Sequence, residues 1–238
     1  MARFFVDKDK IGEKSIILDG ENHQHMSRVL RMREGDSLTI CDGEKTDYIC
    51  TVSSISKKEA ICEIVSAEEN KNESSVSVTL FQGVPKGAKM DLIIQKCVEL
   101  GAVKIVPFIS KRTVAAAKGK FDRFQKISLE AAKQSGRGIV PEVCEIVSFE
   151  DAADELCRCD LPIIAYEESH GFTLKDALRG SSPKSIGIMI GPEGGFEKEE
   201  VQAAESAGAK VVSLGNRILR TETAGLSVIS NIMYELEL

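Results

Sequence analysis

The sequence has few of the residues on which several classes of protein depend. Its 238 residues include three histidines, three tyrosines and no tryptophan. No apolar run approaches the roughly 20 residues that a membrane span requires. The N-terminal residues also lack an apolar stretch long enough for a signal peptide. We therefore expect a cytoplasmic protein with no membrane partner.

The cysteines are spaced unlike those of a disulfide framework or a metal site. There are seven of them, scattered along the chain. No two have the C-x-x-C spacing, so the sequence predicts neither structural disulfides nor a zinc knuckle. The H-E-x-x-H motif of zinc enzymes is absent as well. We expect reduced thiols and no metal ion.

The charge is unevenly distributed. The net charge is −6, which argues against a protein that binds nucleic acid over its whole surface. Residues 86–137 differ from the rest, because they contain twelve basic and four acidic residues, a local balance of +8. A basic patch on one face can bind phosphates even when the net charge is negative. The segment therefore predicts a local surface for RNA.

The pattern of predicted secondary structure changes after the first seventy or so residues. Short β-prone runs separated by turn signals, with one helix near residues 22–32, predict a small N-terminal β-barrel. From Val76 onwards, strands alternate with helices, which predicts a mostly parallel sheet covered on both faces. The polar stretch 67–75 is typical of a linker. We expect an α/β protein with domains at residues 1–72 and 73–238.

Two loops that follow predicted strands contain residues that local folding does not explain. One is Gly191-Pro192-Glu193-Gly194-Gly195-Phe196, whose glycines let a ligand approach the backbone closely. The other is Leu214-Gly215-Asn216-Arg217-Ile218-Leu219-Arg220-Thr221-Glu222-Thr223-Ala224, with two arginines directly before a helix. Since ligands of open α/β sheets bind beyond the carboxyl ends of strands, the loops predict a shared pocket. The alternatives are an ordinary turn for the first loop and helix capping for the second.

These loops resemble the signature loops of the RsmE family. RsmE enzymes are SPOUT-class methyltransferases that modify N3 of a uridine in 16S ribosomal RNA. The similarity continues along most of the chain, in three further segments. They are His25-Met26-Ser27-Arg28-Val29-Leu30-Arg31, Lys86-Gly87 with Gln95-Lys96-Cys97-Val98-Glu99-Leu100-Gly101, and Glu130-Ala131-Ala132-Lys133-Gln134-Ser135-Gly136-Arg137 followed by Pro141.

The resemblance implies a fold, a cofactor and partners. The N-terminal barrel is expected to be PUA-like, and the C-terminal α/β domain to contain a deep trefoil knot that binds S-adenosylmethionine. The expected partners are 16S ribosomal RNA or the small ribosomal subunit, and a second copy of the chain in a homodimer. Two alternatives remain open. The chain could methylate transfer RNA or a ribose 2′-oxygen, or it could be a non-catalytic RNA-binding assembly factor.

The resemblance also implies the residues of the methyl-donor site. The two loops would supply them, with Ile218 and Leu219 forming an apolar slot for adenine. The predicted cofactor-binding residues are Ile190, Gly191, Pro192, Glu193, Gly194, Leu214, Gly215, Ile218, Leu219, Arg220, Thr223 and Ala224.

Methylation of uridine imposes a further requirement, because uracil N3 carries a proton at neutral pH. Either a general base removes that proton, or a cation stabilises the resulting anion. Arg220 is the predicted cation, and Glu193 and Glu222 are the predicted bases. The structural alternatives are a surface ion pair for Arg220 and a helix N-terminal acid for Glu193.

RNA binding is predicted for two groups of basic residues. One group recurs on one face of the helix that starts near Arg123, where the alternative is a solvated helix face. The other lies on the helix of the barrel. The predicted RNA-binding residues are Arg3, His25, Arg28, Arg31, Arg33, Lys86, Arg112, Arg123, Lys126, Lys133 and Arg137.

Overall fold

The computed structural model describes residues 1–114 and 121–237. Their contacts form two compact units. The first unit comprises Met1–Glu73 together with Ala132–Val140, and the second comprises Ser74–Ala131 together with Pro141–Leu238. The first break is close to the predicted boundary, but the return of residues 132–140 to the first unit is not a feature that the sequence predicted.

The first unit is built on a five-stranded sheet. Its strands are β1 (Ala2–Phe5), β2 (Ser15–Asp19), β3 (Ser37–Cys41), β4 (Thr46–Ile55) and β5 (Glu59–Glu69), in the order β1-β3-β4-β5-β2. Phe4 of one edge strand and Ile16 and Leu18 of the other belong to the same buried cluster. The sheet must therefore curl around a single core, as expected for a small PUA-like barrel.

The helix predicted near residues 22–32 is shorter and less regular in the structure. It consists of α1 (Gly20–Gln24) and a π-helical turn at His25–Val29, and a 3-10 turn at Lys8–Lys10 precedes it in the chain. Arg31 follows with φ of 53°, in the left-handed region that a non-glycine residue rarely adopts. This backbone conformation ends the helix before residue 32.

The polar stretch 67–75 is not a simple linker. Strand β5 extends to Glu69, and Asn70 is buried, with its Nδ2 donating to Asp47 Oδ2 at 2.8 Å and to Gly136 O at 3.0 Å. Glu73 forms an ion pair of 2.6 Å with Arg137, and both side chains are 3% exposed. The break between the two units falls inside the predicted linker, at Glu73 and Ser74. Residues 67–73 belong to the first unit, where polar groups of this stretch find partners in residues 132–140.

The second unit is an α/β fold with a parallel sheet. Its strands are β6 (Ser77–Gly83), β7 (Ala102–Ile109), β8 (Glu142–Val143), β9 (Val147–Ser148), β10 (Leu161–Ala165), β11 (Ser185–Ile190) and β12 (Lys210–Val212). Their order is β12-β10-β11-β6-β7-β8, with β9 also pairing with β7, and every described ladder is parallel. The predicted α/β class is confirmed. The sequence pattern predicts one strand at residues 143–147, where the structure has the two short strands β8 and β9.

The described part of this unit has six helices, of which five lie between strands and the last follows β12. They are α2 (Lys89–Glu99), α3 (Phe121–Ser135), α4 (Phe149–Leu156), α5 (Leu174–Leu178), α6 (Lys198–Ser206) and α7 (Thr221–Glu237). Residues 186–190 of β11 are all buried, which is typical of a parallel strand covered on both faces. None of the described helices is long and apolar enough to cross a membrane. The trefoil knot concerns the threading of the chain and stays a prediction.

A cluster of three phenylalanines anchors the loop that follows β11. Phe108 at the end of β7, Phe149 at the start of α4 and Phe196 have ring centroids 6.0 to 6.2 Å apart. Phe196 is the last residue of the glycine-rich loop and is 1% exposed. Because aromatic rings bury large apolar areas, this contact holds one end of the loop against the core.

Candidate active site

A cavity of about 540 Å³ opens at the carboxyl ends of three neighbouring strands. Most of its wall comes from the ends of β10 and β11 with the loops that follow them and from the segment after β12. The lining residues there are 165–167, 169, 170, 190–193, 195, 196 and 213–221, and Lys89 and Ala224 complete the wall. The volume lies within the range of small-molecule sites, and the position is the one expected for ligands of open α/β sheets.

Most of the predicted cofactor-binding residues lie together in this wall. They are Ile190, Gly191, Pro192, Glu193, Leu214, Gly215, Ile218, Leu219, Arg220 and Ala224. Gly194 and Thr223 do not line the cavity, and neither does the predicted base Glu222. The two loops that local folding did not explain therefore meet at one site.

Gly194 and Gly195 have different surroundings. A Cβ on Gly194 would lie 2.9 Å from Cβ of Arg112, which packs outside the cavity wall. Gly195 lines the cavity, has φ of +67°, and a Cβ there would lie 2.3 Å from Oε1 of Glu167. Gly195, which the prediction omitted, is thus the glycine that shapes the cavity, and Gly194 is the one that lets Arg112 approach.

Arg112 braces the loop from outside. Its Nη1 donates to Gly194 O at 3.1 Å, and its Nε donates to Glu197 Oε1 at 2.9 Å. Glu197 is the N-cap residue of α6 and forms a capping box with Glu200. The pKa of the Glu197 carboxyl lies below its ordinary value because of the hydrogen bond from Arg112. The start of α6 and the glycine-rich loop are thereby tied to the end of β7.

One lysine joins the two predicted bases. Lys89 Nζ lies 2.9 Å from Glu193 Oε1 and 3.3 Å from Glu222 Oε2. The backbone N–H of Lys86 also donates to Glu193 Oε1, at 3.1 Å. Partial burial acts to raise the pKa of Glu193, but the hydrogen bonds from Lys89 and Lys86 outweigh it, and the pKa lies below its ordinary value. Glu193 is therefore an ionised acceptor and a weak base.

Arg220 is exposed at the cavity wall. For the predicted alternative, a surface ion pair, Glu222 is the nearest acid in the sequence, but it pairs with Lys89 instead. The guanidinium of Arg220 has no hydrogen-bond or ion-pair partner within residues 1–114 and 121–237. It is available to an anionic group in the cavity. Ile218, two residues earlier, is 87% exposed and offers apolar surface beside it.

The hydroxyl of Thr221 does not cap α7. Its Oγ1 donates to Gly191 O at 2.6 Å and accepts from Gln82 Nε2 at 2.8 Å. The second loop is thus tied to the first through a side chain that the sequence analysis considered only as a helix cap.

Sequence reasoning missed the third loop of the cavity. The missed lining residues are Lys89, Ala165, Tyr166, Glu167, Ser169, His170, Gly195, Phe196, Ser213, Asn216, Arg217 and Thr221. Residues 166–170 follow β10, so the rule that ligands bind beyond strand ends could have found them. Lys89 lies at the start of α2, more than 70 residues before the other lining residues in the chain. No local sequence pattern indicates that it belongs to the site.

The predicted RNA-binding residues have unequal roles in the structure. Arg28, Arg31, Arg33, Lys86 and Lys126 are exposed, and Lys133 is partly buried. Arg123 pairs with Asp91, and His25 is partly buried with its ring against Phe4 at 6.0 Å. Arg3 pairs with Asp47 at 2.7 Å. The burial of Arg137 against Glu73 argues against a contact with RNA. Lys118 and Lys120 of the basic segment lie outside the described residues.

Comparison with known proteins identifies the family. The RNA methyltransferase domain family matches residues 72–233, and the RNA methyltransferase PUA domain family matches residues 18–65. This chain belongs to the RNA methyltransferase family. The match covers well over half of the chain and includes the whole cavity wall.

Relatives along the full length support the same membership. Ribosomal RNA small subunit methyltransferase E of Bacillus subtilis is 37% identical over 251 residues, covering 100% of this chain and 98% of that protein. The protein of the same name from Aquifex aeolicus is 34% identical, covering 96% and 98%. The resemblance to the RsmE family is therefore confirmed.

Two similar structures were solved with a bound ligand. Ribosomal RNA small subunit methyltransferase E from Neisseria gonorrhoeae bound to S-adenosyl methionine has a TM-score of 0.88 and 34% identity, covering 99% of this chain and 98% of that chain. A Legionella pneumophila protein in complex with the bound cofactor SAM has a TM-score of 0.88 and 29% identity, covering 98% and 97%.

Proposed function

We propose that this chain transfers a methyl group from S-adenosylmethionine to N3 of a uridine in the 16S ribosomal RNA of the small ribosomal subunit. The observation that supports it most strongly is the cavity in which the loops after β10, β11 and β12 meet. Full-length relatives named ribosomal RNA small subunit methyltransferase E, and a similar structure bound to S-adenosyl methionine, support the reaction and the donor.

The residues of the cavity suit this donor. Gly191, Gly195 and Gly215 line it, and at Gly215, with φ of +105°, a Cβ would meet nothing within 4 Å. A ligand can therefore approach the backbone there. Ile218 and Leu219 would face the adenine, and the acidic side chains of Glu193 and Glu167 would favour the cationic end of the molecule. When bound, the donor supplies an electrophilic methyl group on its sulfonium.

The protein's own residues must remove the proton of uracil N3 or stabilise the anion that its loss leaves. The lowered pKa of Glu193 makes it a weak base. We therefore assign the main catalytic role to Arg220, which would stabilise negative charge on the uracil ring as N3 loses its proton. Arginine suits this role because it keeps its charge and presents a planar set of donors. Glu193, which lines the cavity, is the predicted base that remains available to accept the proton, whereas Glu222 does not line it.

RNA recognition is proposed for the exposed arginines of the first unit. Arg28, Arg31 and Arg33 follow one another within six residues, on a segment with two exposed apolar residues, Val29 and Leu30. The match of this region to an RNA methyltransferase PUA domain supports the assignment. We further propose that the enzyme works as a homodimer in the cytoplasm, where small subunits are assembled.

Two measurements test the proposed function. Titration calorimetry of the purified protein with S-adenosylmethionine should show one site per chain, and an absence of binding would contradict the enzymatic proposal in favour of an RNA-binding scaffold. Mass spectrometry of nucleosides from a strain without the gene should show the loss of 3-methyluridine from 16S ribosomal RNA. If that nucleoside persists, or a methyl group is lost from transfer RNA or a ribose instead, the substrate assignment is wrong.

A further inference from the structure

We propose that Gln82 and Thr221 are positioning residues, which together hold the carbonyl of Gly191 in the orientation that the methyl-donor site requires. This inference rests on the proposed function of the cavity and adds two residues that act through the backbone of Gly191. Gln82 does not line the cavity at all, and Thr221 reaches it from the start of α7.

The three residues form one continuous chain of hydrogen bonds. Gln82 Nε2 lies 2.8 Å from Thr221 Oγ1, and Thr221 Oγ1 lies 2.6 Å from Gly191 O. Gln82 is 0% exposed and Thr221 is 6% exposed, so solvent cannot readily replace either bond. A broken bond would leave a buried polar group without a partner, which is costly.

The direction of these bonds has a single solution. A threonine hydroxyl has one proton, and here it goes to the carbonyl oxygen of Gly191, so the hydroxyl can only accept from Gln82. The Nε2 of Gln82 also donates to Gly83 O at 3.0 Å. Turning the amide over would place its oxygen against that carbonyl oxygen. The end of β6 therefore determines where the Thr221 proton points.

The same strand also supports the loop by direct contact. A Cβ on Gly83 would lie 2.5 Å from the backbone nitrogen of Pro192 and 2.9 Å from the carbonyl carbon of Gly191. The peptide between Gly191 and Pro192 thus lies directly on the end of β6. The peptide contacts Gly83 and accepts a hydrogen bond from Thr221, and the two contacts together restrict its rotation.

This restriction matters because Gly191 lines the cavity with backbone rather than with a side chain. A ligand that is recognised by backbone groups binds more tightly when those groups are already oriented. The proline restricts the glycine before it, but a glycine still has backbone conformations of either hand, so its carbonyl could take more than one orientation without these bonds. The hydrogen bonds from Gln82 and Thr221 remove this freedom before the ligand arrives.

The test compares variants by calorimetric titration with S-adenosylmethionine and, separately, with S-adenosylhomocysteine. Thr221→Val removes the hydroxyl and keeps the shape, and should raise both dissociation constants by about tenfold. Thr221→Ser keeps the hydroxyl and should stay within about twofold of the parent. Thr39→Val is the matched control, because it removes a buried hydroxyl of the first unit; it should leave both constants unchanged whatever it does to Tm.

A second variant, at Gln82, tests whether its amide orients the Thr221 hydroxyl. Gln82→Leu leaves the Thr221 hydroxyl in place but removes its donor, and should raise the dissociation constants by about three- to tenfold. In the double variant with Thr221→Val the two effects should be less than multiplicative, because both act on one chain of bonds. If Thr221→Val does not fold, Gln82→Leu alone decides.

The outcomes separate this inference from the proposed function. If the parent binds S-adenosylmethionine and both variants bind it within twofold of the parent, the inference is overturned and the proposed function stands, even where Tm falls. If the parent itself binds neither ligand, the proposed function fails and the inference fails with it. Rescue by Thr221→Ser, with loss in Thr221→Val and Gln82→Leu, supports the positioning role.

Discussion

Lys89 Nζ and Glu193 Oε1 lie 2.9 Å apart in the cavity wall, joining the first residue of α2 to the loop that follows β11. The same ammonium group lies 3.3 Å from Oε2 of Glu222 in the first turn of α7. One cation thus holds two carboxylates from elements that are distant in the chain. The charge of Lys89 keeps these carboxylates close together, since without it they would repel each other.

Replacement of Lys89 should therefore disturb the site more than the fold. For Lys89→Met we expect an increase of about tenfold in the dissociation constant for S-adenosylmethionine, because Glu193 and Glu222 lose their shared cation. Lys96→Met is the control, since Lys96 lies on the same helix and pairs with Glu99 at 2.8 Å away from the cavity. Equal effects of the two substitutions on affinity would contradict the role assigned to Lys89.

The lowered pKa of Glu193 predicts a pH dependence. The pKa of Glu193 is lower in the folded than in the unfolded protein, so its carboxylate stabilises the fold at pH values above 4.5, its ordinary pKa. This stabilisation is lost as the pH falls through the pKa of the folded protein. We expect the difference in unfolding free energy between the parent and Glu193→Gln to be constant above about pH 6 and to shrink below about pH 4.5. Denaturant titrations at several pH values measure it. Glu199→Gln, at an exposed position of α6, should show no such trend.

The two neighbouring glycines should respond differently to alanine. Gly195→Ala should lower both Tm and the affinity for S-adenosylmethionine, because Gly195 has a positive φ and lines the cavity beside Glu167. Gly194→Ala should lower Tm through its contact with Arg112, with a much smaller change in affinity. Gly208→Ala is a control for strain alone, with φ of +112° and nothing within 4 Å. It should cost about 1 kcal/mol of stability and leave binding unchanged. A larger loss of affinity in Gly194→Ala than in Gly195→Ala would reverse this assignment.

Arg220 should affect turnover more than donor binding. For Arg220→Ala we expect kcat to fall by about 100-fold or more, which is typical for loss of a group that stabilises developing negative charge, with the donor's dissociation constant within about threefold. Arg217→Ala removes the same charge from the same cavity wall and should reduce kcat only a few-fold. Equal losses of turnover and affinity in Arg220→Ala would place Arg220 at the donor instead.

The exposed arginines of the first unit should determine the salt dependence of RNA binding. Replacing Arg28, Arg31 and Arg33 together by alanine should weaken binding to 16S ribosomal RNA and flatten the plot of log affinity against log salt. The slope should change by about 0.7 to 0.9 for each phosphate that the variant no longer neutralises. Lys57→Ala with Lys58→Ala removes exposed charge elsewhere in the same unit and is the control. An unchanged slope in the arginine variant would show that these side chains do not contact RNA phosphates.

Sequence patterns predicted the regular elements of the second unit well. Apolar periodicity and breaker residues predict a strand at Ser185–Ile190 and helices at Phe121–Ser135 and Leu174–Leu178. The structure has β11, α3 and α5 at these bounds, because such signals act over a few positions. Residues 132–140 were misplaced, since nothing local shows that the end of α3 returns to the first unit. Polarity predicts a linker around Asn70 and Glu73, yet both side chains have partners in the structure, because polarity alone does not show whether a polar group finds a buried partner.

The sequence by itself determined the fold class, the family and the two loops that form the site, because strand and helix signals are local and ligand sites of parallel sheets lie at strand ends. Only the tertiary structure decided which side chains meet there. It paired Glu222 with Lys89 rather than with Arg220, directed Gly195 rather than Gly194 towards the cavity, and brought Gln82 beside Thr221, 139 positions along the chain. These contacts depend on the order of the strands in the sheet, since that order sets which distant residues become neighbours.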